Sequence, residues 1–300
     1  MKNQANSLKY WFLASRPKTL AAALMPVCVA TALAYADGKQ QWIPASICAI
    51  FAILMQIAAN FINDLYDYLK GTDREDRLGP QRACAQGWIT PRAMRIGIGI
   101  TLVLACAVGC CLLPYGGLKL VIIGALCVVF AFLYTTLLSY IGCGDVLVWV
   151  FFGLVPVCGT YYVQAQSLTP TVWIVAVASG LVTDTLLVLN NFRDYAQDLE
   201  SGKRTLIVVL GKKFGSLFYL SQGLLGYLCI ALTSGSTHYC GIILVLIYLI
   251  PHTSTWRTMN KIGEGRALNR VLGLTARNIL IFGLLVSISF VLDRVIGIVW

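Results

Sequence analysis

The sequence predicts an all-α, polytopic membrane protein, a single domain over residues 1–300 with nine transmembrane helices. Three observations carry that prediction. The chain is 58% apolar and only 12% charged, about half the share usual in a soluble domain. Its mean hydropathy is +0.76. Long stretches lack any Asp, Glu, Lys or Arg: 19–36, 40–63, 96–118, 120–144, 146–183, 214–256 and 278–292. A disordered chain needs the opposite composition, and 36 charges cannot coat a soluble globule of 32.8 kDa.

Spanning a bilayer takes about 20 mostly apolar residues as a helix. The runs 19–36 and 40–63 give two spans, at roughly 10–36 and 42–66. The runs 96–118 and 120–144 give two more, at roughly 93–113 and 118–138. The run 146–183 is too long for one crossing and breaks at Gln164-Ala-Gln-Ser-Leu-Thr-Pro170, giving spans at roughly 145–164 and 171–193. The run 214–256 breaks at Ser234-Gly-Ser-Thr-His238 into spans at roughly 214–233 and 239–253, and the last span covers roughly 275–297.

The net charge of +10 suits either nucleic acid or a membrane surface, and its placement decides between them. With nine spans, 20 of the 23 basic residues fall on one side, and only Lys39, Lys119 and Arg294 on the other. The positive-inside rule makes that side cytoplasmic, with the N-terminus there and the C-terminus outside. The expected location is therefore the cell (inner, cytoplasmic) membrane, multi-pass, with the lipid bilayer and no nucleic acid as a partner. No signal-peptide pattern precedes the first span. The 11 cysteines form no C-x-x-C pair and are read as inert buried thiols. His238 and His252 are too isolated to suggest a metal cluster, and His252, beside Pro251, reads as structural.

The 13 acidic residues are more informative, because more than half of them lie in two clusters. The first reads Asn60-Phe-Ile-Asn-Asp64-Leu-Tyr-Asp67, continuing to Gly71 and Asp73. Asn60, Asp64 and Asp67 are spaced i, i+4, i+7 and share a helical face. The second reads Asn191-Phe-Arg193-Asp194-Tyr-Ala-Gln-Asp198, with Asn191, Asp194 and Asp198 again on one face. Each ends a span on the cytoplasmic side. Taken singly, either cluster could be solvated loop. As a matched pair in a carboxylate-poor chain they read as functional, since carboxylates at membrane depth are costly. Facing one another, they form a hard oxygen site suited to Mg²⁺. Arg16, Lys18, Arg82, Arg193 and Lys203 sit at the same ends, where they can pair with phosphate oxygens. Carboxylates, magnesium and cations around a diphosphate describe a site that ionises an allylic diphosphate. A transporter using intramembrane carboxylates as ion sites is the alternative from another class, and it expects acids near mid-span on broken helices.

At these residues the chain resembles the UbiA superfamily of intramembrane aromatic prenyltransferases, and within it most closely the 1,4-dihydroxy-2-naphthoate polyprenyltransferase (MenA) group. The family's N-x-x-x-D-x-x-D and G-x-D are met by Asn60, Asp64, Asp67, Gly71 and Asp73. Its second motif, D-x-x-x-D, is met by Asp194 and Asp198. Arg77-Leu-Gly-Pro-Gln-Arg82 is similar to the R-x-G-P-x-R stretch of the naphthoate branch, and Ser15-Arg-Pro-Lys-Thr-Leu20 and Gly142-Cys-Gly-Asp145 also fit.

The resemblance implies a UbiA-like bundle and a cell-membrane prenyltransferase of menaquinone biosynthesis. A polyprenyl group would pass from polyprenyl diphosphate to 1,4-dihydroxy-2-naphthoate with loss of CO₂, giving demethylmenaquinol. The catalytic residues would be Asp64, Asp67, Asp194 and Asp198. Two Mg²⁺ ions would be held by Asn60, Asp64 and Asp67 and by Asn191, Asp194 and Asp198. Substrate would be bound by Arg16, Lys18, Arg77, Arg82, Tyr134, Tyr140, Arg193 and Lys203, with Tyr134 facing the allylic cation. The stretch from Tyr134 to Asp145 departs from the family, being shorter and lacking its proline. That leaves other acceptors, such as 4-hydroxybenzoate or homogentisate, as the alternative. Asp184, seven residues before Asn191, falls on the same face, where it can either point into the cavity or make a buried hydrogen bond.

Overall fold

A computed structural model describes residues 5–71, 77–233 and 240–299. Nine helices among them are long and apolar enough to cross a membrane, as the charge-free runs predict. Spans one to five are Pro17–Ala36, Trp42–Leu69, Pro91–Cys110, Lys119–Thr136 and Gly144–Ala165. Spans six to nine are Pro170–Arg193, Leu206–Thr233, Cys240–Ile262 and Leu268–Val299. A short helix, Leu8–Ala14, precedes span one, and another, Tyr195–Glu200, follows span six.

Helix starts follow from local chemistry. Spans one, three and six open on Pro17, Pro91 and Pro170, where a missing amide costs nothing and φ is already helical. Thr90 caps span three by accepting from the Ala93 amide at 3.3 Å.

Four span limits differ from the sequence expectation. The first does not run unbroken from residue 10, because Arg16 adopts a left-handed conformation (φ 51°) and separates Leu8–Ala14 from span one. A residue before proline is driven out of the α region, which places the break at Arg16. Span seven starts at Leu206 and bends at Gly211 (φ 86°). Spans eight and nine extend to Ile262 and begin at Leu268. A charge-free run marks the hydrocarbon-embedded part, whereas a nucleated helix continues cheaply into polar ends.

The main core joins spans one, five, six, seven, eight and nine through residues such as Leu33, Tyr161, Val175, Ile230, Tyr248 and Phe282. A second core packs Leu8–Ala14, span two, span three and the loop between them through Tyr10, Phe61, Ile62, Ile89 and Met94. Spans five and six meet backbone to backbone: a Cβ on Gly153 would lie 2.5 Å from the Ala176 carbonyl oxygen. At that contact span five relaxes into a π-helical stretch, Val150–Leu154. Such close approach by small residues is a usual membrane-helix device.

Polar groups also link spans seven, eight and nine. The Tyr219 hydroxyl meets Thr275 Oγ1 at 2.8 Å, and Asn278 donates to Thr255 Oγ1 at 2.9 Å. His252 is buried, stacked between Tyr219 and Tyr248. It is a packing residue within span eight, in line with the structural expectation, while His238 lies outside the described residues. The cysteine expectation needs correction. All 11 thiols are free, but Cys28, Cys106, Cys110 and Cys111 are exposed. Cys106 and Cys110 line an apolar cavity, an environment that the small apolar character of a thiol tolerates.

Candidate active site

The first acidic motif lies within one helix, whereas the second, expected on a single helical face, is divided by the end of span six. Asn60, Asp64 and Asp67 lie in the last turns of span two, Asn191 lies in the last turn of span six, and Asp194 caps it. Asp198 lies in the short helix that follows.

Each motif carboxylate is engaged. Asp64 is 1% exposed, and its two oxygens accept from the Ala83 and Cys84 amides, both at 2.8 Å. Asp67 pairs with Arg82 at 2.6 Å. Asp194 takes both arms of Arg193, at 2.7 Å from Nε and 2.6 Å from Nη2. Asp198 meets Lys203 Nζ only loosely, at 3.4 Å and 3.5 Å. Burial is the first cause pushing the Asp198 carboxyl upward, with Lys203 opposing and Asp194 adding to it.

The segment from Arg77 to Cys84 connects the two motifs. Arg82 reaches Asp67, and the Ala83 and Cys84 amides reach Asp64. At its other end the Leu78 carbonyl accepts from Asn269 Nδ2 at 2.7 Å, and Asn269 Oδ1 accepts from Arg193 Nη1 at 2.9 Å. Gly79 passes so close that a Cβ there would lie 3.0 Å from Arg193 Nη2 and 3.2 Å from Arg77 Nε. Arg77, Arg82 and Arg193 thus gather at one end of the bundle. Arg16 joins them: burial first, then Arg82, lowers its guanidinium to about 9, against the pull of Asp64 and Asp67. It stays protonated at neutral pH.

Other predicted residues have local roles as well. Asn60 Nδ2 donates to the Ser15 carbonyl at 2.9 Å and to Thr19 Oγ1 at 3.0 Å, tying span two to the start of span one. Tyr140 lies under Lys70, whose Nζ is 4.0 Å from the ring centroid. Asp184 resolves to the hydrogen-bonding reading: Trp149 Nε1 donates to its Oδ2 at 3.2 Å, joining spans five and six. Asp73 lies outside the described residues, as does the side chain of Lys18. Asn269 and Asn63, which bonds Thr135 Oγ1 at 2.8 Å, carry no signal in the sequence. Nothing in the spacing of span nine announces that it reaches a loop 191 residues away.

Above this polar end lies an apolar cavity of about 510 Å³, within the range of ligand sites. Cys48 and Asn63 of span two both line it, so it extends about 22 Å along the helix. Asn60, Asn63, Tyr134 and Asn190 line its polar mouth, and Val27, Phe51, Leu120 and Phe151 are among its apolar walls.

Among the described residues no three His, Cys, Asp or Glu side chains converge into a metal cage. The donor chemistry still fits Mg²⁺: hard oxygens only, two carboxylates per motif, and arginines positioned for phosphate. Mg²⁺ characteristically uses one or two carboxylates with water and substrate phosphates rather than an all-protein cage.

Helical bundle, apolar cavity and paired acidic motifs define a membrane-embedded prenyltransferase, and the chain belongs to the UbiA prenyltransferase family, whose model matches residues 23–272. Among its relatives is the 1,4-dihydroxy-2-naphthoate octaprenyltransferase of Escherichia coli, 37% identical over 77% of this chain and 78% of that protein. The protein of the same name from Haemophilus influenzae is 36% identical over 76% and 78%. The fold matches a solved structure of a UbiA homolog from Archaeoglobus fulgidus bound to DMAPP and Mg²⁺. That match has a TM-score of 0.65 at 13% identity and covers 92% of this chain and 98% of that one.

Proposed function

We propose that the protein transfers a polyprenyl group from polyprenyl diphosphate to 1,4-dihydroxy-2-naphthoate, with loss of CO₂, to give demethylmenaquinol. The observation that carries this reading is the Arg77–Cys84 segment, which ties both acidic motifs to a cluster of arginines at the mouth of an apolar cavity. The 34–37% identity to naphthoate octaprenyltransferases supports this choice of acceptor.

Mg²⁺ would be held by Asn60, Asp64 and Asp67 on one side and by Asn191, Asp194 and Asp198 on the other, two ions in all, and would neutralise charge on the diphosphate. Arg16, Lys18, Arg77, Arg82, Arg193 and Lys203 are the cations available to the phosphate oxygens and the acceptor carboxylate. Arg82 and Arg193, now bonded to Asp67 and Asp194, would exchange those partners for phosphate. The prenyl tail would lie along the apolar walls, which exclude water from the allylic carbon. The Tyr134 ring at the cavity mouth would present its face to the developing positive charge. The acceptor carbon bearing the carboxylate would attack as the C–O bond to diphosphate breaks, and loss of CO₂ would restore aromaticity.

The single domain over 1–300 would sit in the cell membrane with the N-terminus and the site on the cytoplasmic side, as the basic residues argue. A transporter fits less well, since the acids lie at helix ends beside phosphate-suited cations. The test is release of labelled CO₂ from carboxyl-labelled dihydroxynaphthoate by detergent-solubilised protein with a polyprenyl diphosphate and Mg²⁺. Prenylation without CO₂ release, or turnover only on 4-hydroxybenzoate or homogentisate, would overturn the acceptor assignment.

A further inference from the structure

Asp145, in the Gly142-Cys-Gly-Asp145 stretch, is a buried acid outside the two acidic motifs. Asp145 opens span five and is 2% exposed, and its Oδ1 has no hydrogen-bond partner among the described residues. A buried carboxylate oxygen left unpaired costs free energy, so its position calls for a cause. It lines a second, small cavity of about 20 Å³ together with Tyr134, Asn191, Lys203 and Thr205. That space admits one water or the tip of one side chain.

The backbone fixes Asp145 against the segment carrying Lys203. The Arg204 amide donates to the Tyr140 carbonyl at 2.9 Å. Gly142 (φ +82°) comes so close that a Cβ would lie 2.9 Å from the Arg204 carbonyl oxygen. Asp145 and Lys203 thus line the same small cavity. Lys203 meanwhile holds Asp198 at 3.4 Å, against 2.6 Å for the Arg82–Asp67 and Arg193–Asp194 pairs. The ammonium therefore has one loose partner and, beside it, a second carboxylate with an unused oxygen.

We propose that Asp145 is a positioning residue for Lys203. When Asp198 turns to a divalent cation, the ammonium shifts to Asp145 Oδ1 through the small cavity and stays at the site as a hydrogen-bond donor to phosphate. Without Asp145, Lys203 remains on Asp198 and competes with the metal. This inference rests on the assignment of Asp198 as a metal ligand.

The test is Mn²⁺ binding in detergent, followed by electron paramagnetic resonance without substrate and again with inorganic pyrophosphate. Asp145→Asn keeps the shape and removes the charge, and it should weaken Mn²⁺ binding by roughly 10-fold or more, as losses of groups supporting a metal ligand do. In a Lys203→Met background the same substitution should add nothing, because no ammonium is left to place. Lys203→Met alone should bind Mn²⁺ at least as tightly as wild type but lose pyrophosphate-dependent tightening, and it decides the matter should Asp145→Asn fail to fold. Unchanged affinity in Asp145→Asn, the same loss in both backgrounds, or weaker Mn²⁺ binding in Lys203→Met without pyrophosphate would each refute the proposal. If Mn²⁺ binding to the wild type is insensitive to Asp194→Asn, the metal reading falls as well, which separates the two failures.

Discussion

Substituting Asp64 is expected to release a loop as well as to stop turnover. The carboxylate is 1% exposed and accepts the Ala83 and Cys84 amides at 2.8 Å each. Hydrogen bonds to a charged group are worth about 1.5–3 kcal/mol each, so the two together stabilise the 83–84 turn by about 3–6 kcal/mol. Asp64→Asn retains one acceptor oxygen but turns an NH₂ toward the other amide, so it is expected to lose about 3 kcal/mol. Local opening of the turn then becomes about 100-fold more frequent, since about 1.4 kcal/mol is a factor of ten. Hydrogen–deuterium exchange in detergent without added metal reads this directly in peptides covering 77–90. Wild-type protection there should fall in Asp64→Asn and further in Asp64→Ala, while peptides from spans five and six keep theirs. Unchanged exchange at 83–84 would refute the view that Asp64 holds this segment, whatever happens to activity.

Asp194→Ala leaves the buried Arg193 guanidinium with Asn269 as its remaining side-chain partner and is expected to cost about 2–4 kcal/mol, seen as a lower unfolding temperature; Asp194→Asn should lose turnover with a smaller shift. Gly153→Ala places a methyl 2.5 Å from the Ala176 carbonyl oxygen, backbone that cannot yield, and overpacking of this kind costs about 1–3 kcal/mol or more; a thermal melt of the purified protein checks it. Gly124 lines the large cavity, and a Cβ there meets nothing within 4 Å. Gly124→Phe should therefore fold normally yet raise KM for long-chain donors more than for geranyl diphosphate, and equal effects on both would show that the tail does not lie there.

The nine crossings could be read from the chain because a bilayer excludes charge, so its limits are written as gaps between charged residues. The acidic faces could be read because the helix repeat places Asn60, Asp64 and Asp67 together without help from tertiary structure. The partners of those residues could not. Asp64 bonds amides 19 and 20 positions away, and Arg193 meets Asn269 across 76 positions; periodicity gives a face but not what faces it. Asn60 illustrates the difference, since a residue expected at the metal also joins span two to Ser15 and Thr19. The break at Arg16 is present in the sequence as Pro17, flanked by the charges of Arg16 and Lys18 that precede the charge-free run 19–36.

Spans seven and eight are the least apolar of the nine, and their polar side chains look toward span nine. Thr275 takes the Tyr219 hydroxyl, and Asn278 bonds Thr255 and the Pro251 carbonyl. During synthesis those two helices enter the bilayer before residues 268–299 have been made, with polar groups that still lack their final partners. Span nine closes this set, and it also packs along span one. Span nine therefore secures both span one and the least membrane-suited part of the bundle, and the polar groups of spans seven and eight are satisfied only after it has been made.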